Sequence, residues 1–353
     1  MLKMWLRKIM PVCLIICLAT GAVGGCAAPE EEFEPVVLAL SDMGSPDRFV
    51  GYGLQWFADE VEKRTDGKVK IEIYWNQSLL KAKETLEGVG MGVADLGFVV
   101  PAYTPGKSPL LEASLLPCVT DNAYVWGAAL DDYTSLEPIM EEAAGLNLKY
   151  LYTVPTGPTE LISREPVRNL ADLKGLKLRA TGHKAKTMET LGAIPTSVPA
   201  PEIATLLQRG TIDGALFPFS AASRYGILDE CKYQTTLGLG FDAAFVVINL
   251  DVWNSLPSSI RKTIEGIAAE ATEACADFNV EDNVKWEKTG KEELGVQFYV
   301  LSPAEMALLQ ETAAKPVWEN WANGLEDKGL PARESLDALL KAVEKYEKKY
   351  AGK

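Results

Sequence analysis

The 353-residue chain has one histidine, His183, and no Cys-x-x-Cys pair. A histidine-rich metal site or a histidine-based triad would therefore rest on a single residue, so no metal and no cofactor is expected. A phosphate-binding Walker loop and a Gly-x-Ser-x-Gly nucleophile elbow are also missing. Gly238-Leu239-Gly240-Phe241-Asp242-Ala243 imitates a dinucleotide fingerprint but runs into Phe245-Val246-Val247-Ile248, a strand rather than the helix such a cradle needs. Of the six cysteines, Cys13, Cys17 and Cys26 lie in or next to an N-terminal leader, leaving Cys118, Cys231 and Cys275. That odd number permits one disulfide without selecting it; Cys275, in an apolar-periodic helix, reads as a small buried hydrophobe, and no structural disulfide is expected. Positive charge is scarce, with 35 Lys and Arg against 49 Asp and Glu. The net charge of −14 argues against nucleic acid and against an anionic membrane surface as partners.

A long hydrophobic run occurs only at the front, where Lys3, Arg7 and Lys8 precede an uncharged stretch from Ile9 to Pro29. Its length would suit a membrane anchor, but Pro11, Gly21, Gly24 and Gly25 interrupt a continuous helix. A basic segment, a short apolar core and small residues before a cut point read as a secretory signal. Val23-Gly24-Gly25-Cys26 looks like a lipobox, whose cysteine is lipidated and becomes the first mature residue. Residues 1–25 are thus expected to be a lipoprotein signal peptide and 26–35 an acidic tether. The globular part would sit outside the cytoplasm, in periplasm or at the cell surface, anchored through Cys26.

Beyond the tether, strands are expected at Val36–Ser41, Val69–Trp75 and Ala94–Val100, alternating with helices after Pro46 and over 81–90. This alternation predicts βαβ units and a parallel sheet. It resumes from about Thr156 to Phe241, the centre of a second lobe. Leu256 to Leu294 reads as one nearly unbroken helix, too long for one side of a small domain, and Pro303 to Tyr350 as two helices around Gly329-Leu330-Pro331. Ligands of open α/β sheets gather at the carboxyl ends of strands, which selects loops containing Gln77 and Tyr103 and the ends near Arg179 and Phe217. Tyr103 suits ligand stacking or hydrogen bonding, and equally hinge packing. His183 could rim the cleft or stand exposed at a helix start.

Four segments in order then carry a resemblance. Phe57-Ala58-Asp59-Glu60-Val61-Glu62-Lys63-Arg64-Thr65-Asp66-Gly67, Gly92-Val93-Ala94-Asp95-Leu96-Gly97, Asn169 through Arg179, and Ile248-Asn249-Leu250-Asp251-Val252-Trp253-Asn254-Ser255-Leu256-Pro257 are similar to the TRAP-type (tripartite ATP-independent periplasmic) solute-binding proteins, the DctP-like family. The resemblance implies an α/β, two-lobed periplasmic-binding-protein-like fold with a long interlobe helix. Lobe I would take 36–155 plus about 242–284, and lobe II 156–241 plus about 285–353. It also implies a receptor that is not an enzyme and that hands a small organic acid to the permease subunits of a TRAP transporter, with Arg179 clamping the carboxylate.

Two departures narrow the ligand. Where some members, the sialic acid receptors among them, place a second arginine this chain has Thr159, and where they place an asparagine it has Phe217. A charge and a polar clamp give way to an aromatic wall, which Phe241 and Phe219 would extend. A monocarboxylate with an apolar or aromatic body fits such a pocket better than a sugar acid or a dicarboxylate. Glu202 and Asp213-Gly214 are read as structural. The alternatives are a ligand-sensing lipoprotein for a signalling partner and, further off, a surface hydrolase.

Overall fold

The apolar runs form ten strands among residues 33–353, the part of the chain that the structure, a computed structural model, describes. The signal segment, Cys26 and most of the tether lie outside the described residues. The strands are β1 (Val36–Ser41), β2 (Val69–Tyr74), β3 (Leu96–Val99), β4 (Leu148–Ser163), β5 (Lys177–Arg179), β6 (Ile194–Thr196), β7 (Gly214–Pro218), β8 (Tyr233–Thr236), β9 (Phe241–Asn249) and β10 (Gln297–Val300). In the first half of the chain they alternate with α1 (Phe49–Arg64), α2 (Thr85–Gly90), α3 (Ala123–Thr134) and α4 (Glu137–Gly145). The middle adds α5 (Gly182–Thr190), α6 (Ile203–Gln208), α7 (Phe219–Ala222) and α8 (Ile227–Glu230). After β9 come α9 (Leu250–Ser255), α10 (Ser258–Glu292), α11 (Pro303–Leu309), α12 (Lys315–Glu326) and α13 (Ala332–Lys349).

Glu34–Lys353 form one compact unit in which two sheets share a strand. The first sheet runs β2-β1-β3-β9-β4 and the second β4-β7-β5-β6, with β8 beside β4 and β10 beside β8. The 16-residue β4 pairs with β9 up to Pro158 and with β7 from Thr159 onward. Within each half the βαβ strands are parallel, as the alternation predicts. The two strands that carry the chain across, β4 outward and β9 back, run antiparallel to their neighbours, so the sheets are mixed rather than purely parallel. Gly240, at the return, has φ +70, and a Cβ there would lie 2.6 Å from the Thr120 carbonyl oxygen. Only glycine suits that junction.

Asn249 ends β9 and caps α9, its side chain accepting from the Asp251 and Val252 amides while its amide nitrogen donates to the Val89 carbonyl at 2.7 Å. Leu256-Pro257 stops this short helix, and α10 begins at once. Its 35 residues make a rod about 50 Å long, which packs Ile260, Ile264, Ile267 and Ala271 in the first half. Gly290 at the other end meets Phe219 of the second half. Cys275 is buried against Gly53 of α1, and Cys118, Cys231 and Cys275 are free thiols.

One boundary differs from the sequence division. Residues 297–314 pack in the second half, where Leu301, Leu309 and Ala314 join Leu178 and Leu216. The end of α12 and all of α13, assigned by sequence to lobe II, belong to the first core instead: Trp321, Leu325, Leu336, Leu339 and Val343 cluster with Trp126 and Leu130 of α3. The cause is the apolar stripe of α13, which needs the complementary face of α3. Leu339 is fully buried there, so Leu339→Ala is expected to lower the unfolding free energy by about 2–5 kcal/mol. Chemical denaturation would check this, and a loss below 1 kcal/mol would reject the placement of α13.

Candidate functional site

Arg179 is delivered by a short, well-specified segment. Asn169 and Asp172 form a capping box around the 3₁₀ turn Leu170–Leu173, Gly175 takes φ +80, and β5 follows. Strand alternation sends Leu178 into the second core and Arg179 to the opposite face. There the guanidinium is buried, at 4% exposure. Its Nε donates to the Val198 carbonyl at 3.0 Å and its Nη1 to the Leu216 carbonyl at 3.0 Å. Its Nη2 reaches the Tyr103 hydroxyl at 3.4 Å, and its Cζ stands 5.4 Å from the Phe217 ring centroid. One N–H on each terminal nitrogen remains free, and no carboxylate within the described residues pairs with this charge.

These groups face a cavity of about 70 Å³ between the two halves. A water needs roughly 10–15 Å³ of such space, so the room corresponds to roughly five to seven water-sized groups. Met43, Phe98 and Leu115 line it from the first half, Leu216, Phe217 and Ala221 from the second. Arg48, at the N-terminus of α1, and Asp242, in β9, also line it, and each is internally neutralised. Arg48 Nη2 pairs with Asp42. Although burial opposes its charge, the Asp42 carboxylate holds the Arg48 guanidinium above its usual pKa. Asp242 receives Lys184 Nζ at 2.7 Å. With those pairs cancelled, the cavity carries one net positive charge, that of Arg179.

The candidate residues divide. Arg179, Phe217 and Tyr103 meet at the cavity. Tyr103 sits in the 3₁₀ turn Pro101–Tyr103 after β3, and its oxygen accepts from Arg179 and from the Ala200 amide at 3.2 Å, leaving its own proton to donate. Thr159 does not line the cavity; it lies buried in β4 and accepts from Lys184 Nζ at 2.8 Å, so it positions the Lys184–Asp242 pair. Phe241, placed in the aromatic wall by sequence, belongs to the first core at the start of β9. Gln77 is a loop residue away from the cavity, its side-chain oxygen accepting from the Ala82 amide at 3.0 Å. Phe219 packs on Phe298 and Gly290 rather than on the cavity.

His183 is neither at the cavity nor exposed. It starts α5 beside Trp321 of α12, with ring centroids 6.3 Å apart, and its Nε2 has no hydrogen-bond partner. Sequence reasoning missed Arg48, Tyr225, Asp242 and Lys184. Arg48 falls just past the loop after β1 that the strand-end rule selects, so extending that rule by two residues finds it. Tyr225 lies between two four-residue helices, where no periodicity marks it. A larger concavity, about 700 Å³ beside α3, α10 and α13, is lined by Asp131, Asp132, Glu265 and Glu273 and suits an acid poorly. Among the described residues no cluster of three or more His, Cys, Asp or Glu is placed to hold a metal.

Two sheets joined by crossing strands, a long helix packed along both halves and a cavity between them that holds one unpaired guanidinium are the features of an extracytoplasmic solute-binding protein of two-lobed α/β architecture. The chain belongs to the bacterial extracellular solute-binding protein family 7, DctP, which it matches over residues 40–324. It is 26% identical to the C4-dicarboxylate-binding periplasmic protein DctP of Rhodobacter capsulatus over 86% of this chain and 92% of that protein. It is 30% identical to a TRAP periplasmic solute-binding protein of Desulfovibrio salexigens, with a TM-score of 0.77, covering 88% of this chain and 97% of that one. A marine metagenome TRAP protein specific for aromatic acid ligands, solved with metahydroxyphenylacetate, is 25% identical with a TM-score of 0.82 over 88% and 99% of the two chains. Members of this family are transport proteins, not enzymes; they bind small organic acids outside the cytoplasm and work with membrane permease subunits. Among the described residues no helix is long and apolar enough to cross a membrane.

Burial pushes the His183 pKa down to about 4 from an ordinary 6.5. The unfolded chain takes up this proton below about pH 6.5 and the native chain does not. Stability from this residue is therefore complete above pH 6.5 and is lost as pH falls toward 4. Melting temperatures of wild type and His183→Gln between pH 7 and 4 are expected to converge on acidification, and parallel curves would reject this role.

Proposed function

We propose that the protein captures a small monocarboxylate with an apolar or aromatic body and presents it to the permease subunits of a TRAP transporter, tethered to its membrane through lipidated Cys26. The carrying observation is the buried Arg179 charge without a carboxylate partner. A buried ion lacking a counterion is destabilising by several kcal/mol, and a carboxylate ligand would supply the missing charge in a bidentate grip. Tyr103 would donate to the same carboxylate, and Phe217 would flank the ligand's body. A C4-dicarboxylate, which the Rhodobacter capsulatus relative binds by name, would need a second unpaired cation, whereas Arg48 and Lys184 are both engaged. The aromatic-acid specificity of the marine relative accords with the apolar lining.

The lobes we assign around the two sheets would close on the acid by bending at the crossing strands β4 and β9, because the ligand touches both sides and so favours the closed form. Arg179→Ala is expected to abolish binding of monocarboxylates. Arg179→Lys is expected to weaken it by about 10- to 100-fold, since an ammonium cannot reproduce the planar fork. Titration calorimetry against a panel of mono- and dicarboxylates, including aromatic acids, measures both. Wild-type affinity in Arg179→Ala would overturn the assignment.

A further inference from the structure

The first half contributes to the cavity wall a polar group that the carboxylate reading leaves unused. Arg48 is 3% exposed, and its guanidinium turns back over the loop that follows β1. Gly44 makes this possible: a Cβ there would collide with Arg48 Nε and would lie 2.7 Å from the Tyr225 hydroxyl. Arg48 and Tyr225, one from each half, therefore converge on one backbone point at the cavity wall. Asp42 occupies Arg48 Nη2, while Arg48 Nη1 and the Tyr225 hydroxyl have no hydrogen-bond partner among the described residues. The Tyr225 ring is held edge-on to Phe217, with centroids 5.4 Å apart at 90°, so its hydroxyl has a fixed direction. Burial, outweighing the nearby Arg48 charge, raises its pKa to about 12, so it remains a neutral donor and acceptor.

We infer that Arg48 and Tyr225 form a second subsite that recognises a hydroxyl group on the acid held by Arg179, so that the preferred ligands are hydroxylated monocarboxylates. The inference rests on the carboxylate role of Arg179 and adds the chemistry of a second polar point on the cavity wall. A hydroxyl both donates and accepts. It can take an N–H from Arg48 Nη1 and exchange a hydrogen bond with Tyr225, whose oxygen serves in either sense. A hydrogen atom in its place would leave a charged donor and a phenol covered by the ligand and unpaired, which a site built for a hydroxyl penalises strongly. A second carboxylate would fit less well, because Asp42 has already neutralised Arg48 and a further negative charge would find no net attraction there.

The test compares matched pairs by calorimetry on the complete mature chain: lactate with propanoate, mandelate with phenylacetate, and malate as the dicarboxylate. Wild type is expected to bind at least one hydroxy acid about 10- to 100-fold more tightly than its deoxy partner and to bind malate more weakly than that hydroxy acid. Tyr225→Phe is expected to bring the ratio to within about threefold, by weakening the hydroxy acid and by sparing the deoxy acid an unpaired phenol. A double variant, Asp42→Asn with Arg48→Met, avoids an orphaned carboxylate and is expected to reduce the ratio similarly; its melting curve reports whether it folds, and Tyr225→Phe decides the matter if it does not. Equal binding of both members of each pair by wild type, or an undiminished ratio in Tyr225→Phe, would overturn the subsite and leave Arg179 as the carboxylate clamp. If Arg179→Ala binds the deoxy acids as wild type does, the clamp itself fails and the subsite with it.

Discussion

A guanidinium held at 4% exposure, braced by two backbone carbonyls and one phenol, keeps its full charge in a place where water can do little to stabilise it. Carbonyl dipoles offset only part of that penalty, because each carries a partial charge and Arg179 carries a whole one. The remaining imbalance is the constraint around which the cavity is arranged. Every other charge near it is cancelled locally, Arg48 by Asp42 and Lys184 by Asp242. On the reading proposed above, selectivity for an anion would follow from one unpaired cation in a neutral, mostly apolar enclosure rather than from an accumulation of positive side chains.

The fold supplies this arrangement through its crossings. Because β4 pairs first with β9 and then with β7, the two sheets are continuous, and the strand ends of both open onto the same gap. Tyr103 follows β3 in one sheet and Arg179 ends β5 in the other, yet their side chains meet at 3.4 Å. The helix α10 ties the outer surfaces together, and α12 and α13 bring the chain back to the first core.

Much of this was legible beforehand because the signals are local. The capped turn, glycine and strand before Arg179, the cap at Asn249 and the apolar stripe of α10 each depend on a few neighbouring residues. What stayed hidden depends on contacts made far along the chain. Thr159 is a ligand-binding candidate because its position aligns with a binding arginine of some relatives; here the same strand position holds Lys184, a partner that no spacing reveals. Phe241 sits one residue from cavity-lining Asp242, and strand alternation sends its ring to the opposite face, into the first core. Residues 315–349 looked like second-lobe helices only because they come last; their destination is set by which core offers a matching face.

The separation between a neutralised enclosure and a strongly acidic exterior has a kinetic consequence. At a distance, an incoming anion meets the field of a chain with 14 excess negative charges, while the attraction proposed for Arg179 would act only once it has entered. Added salt shortens the reach of that repulsion yet leaves the desolvated contact nearly untouched. Capture by this protein should therefore quicken as ionic strength rises, with release little changed, the reverse of what a receptor with a cationic entrance would do.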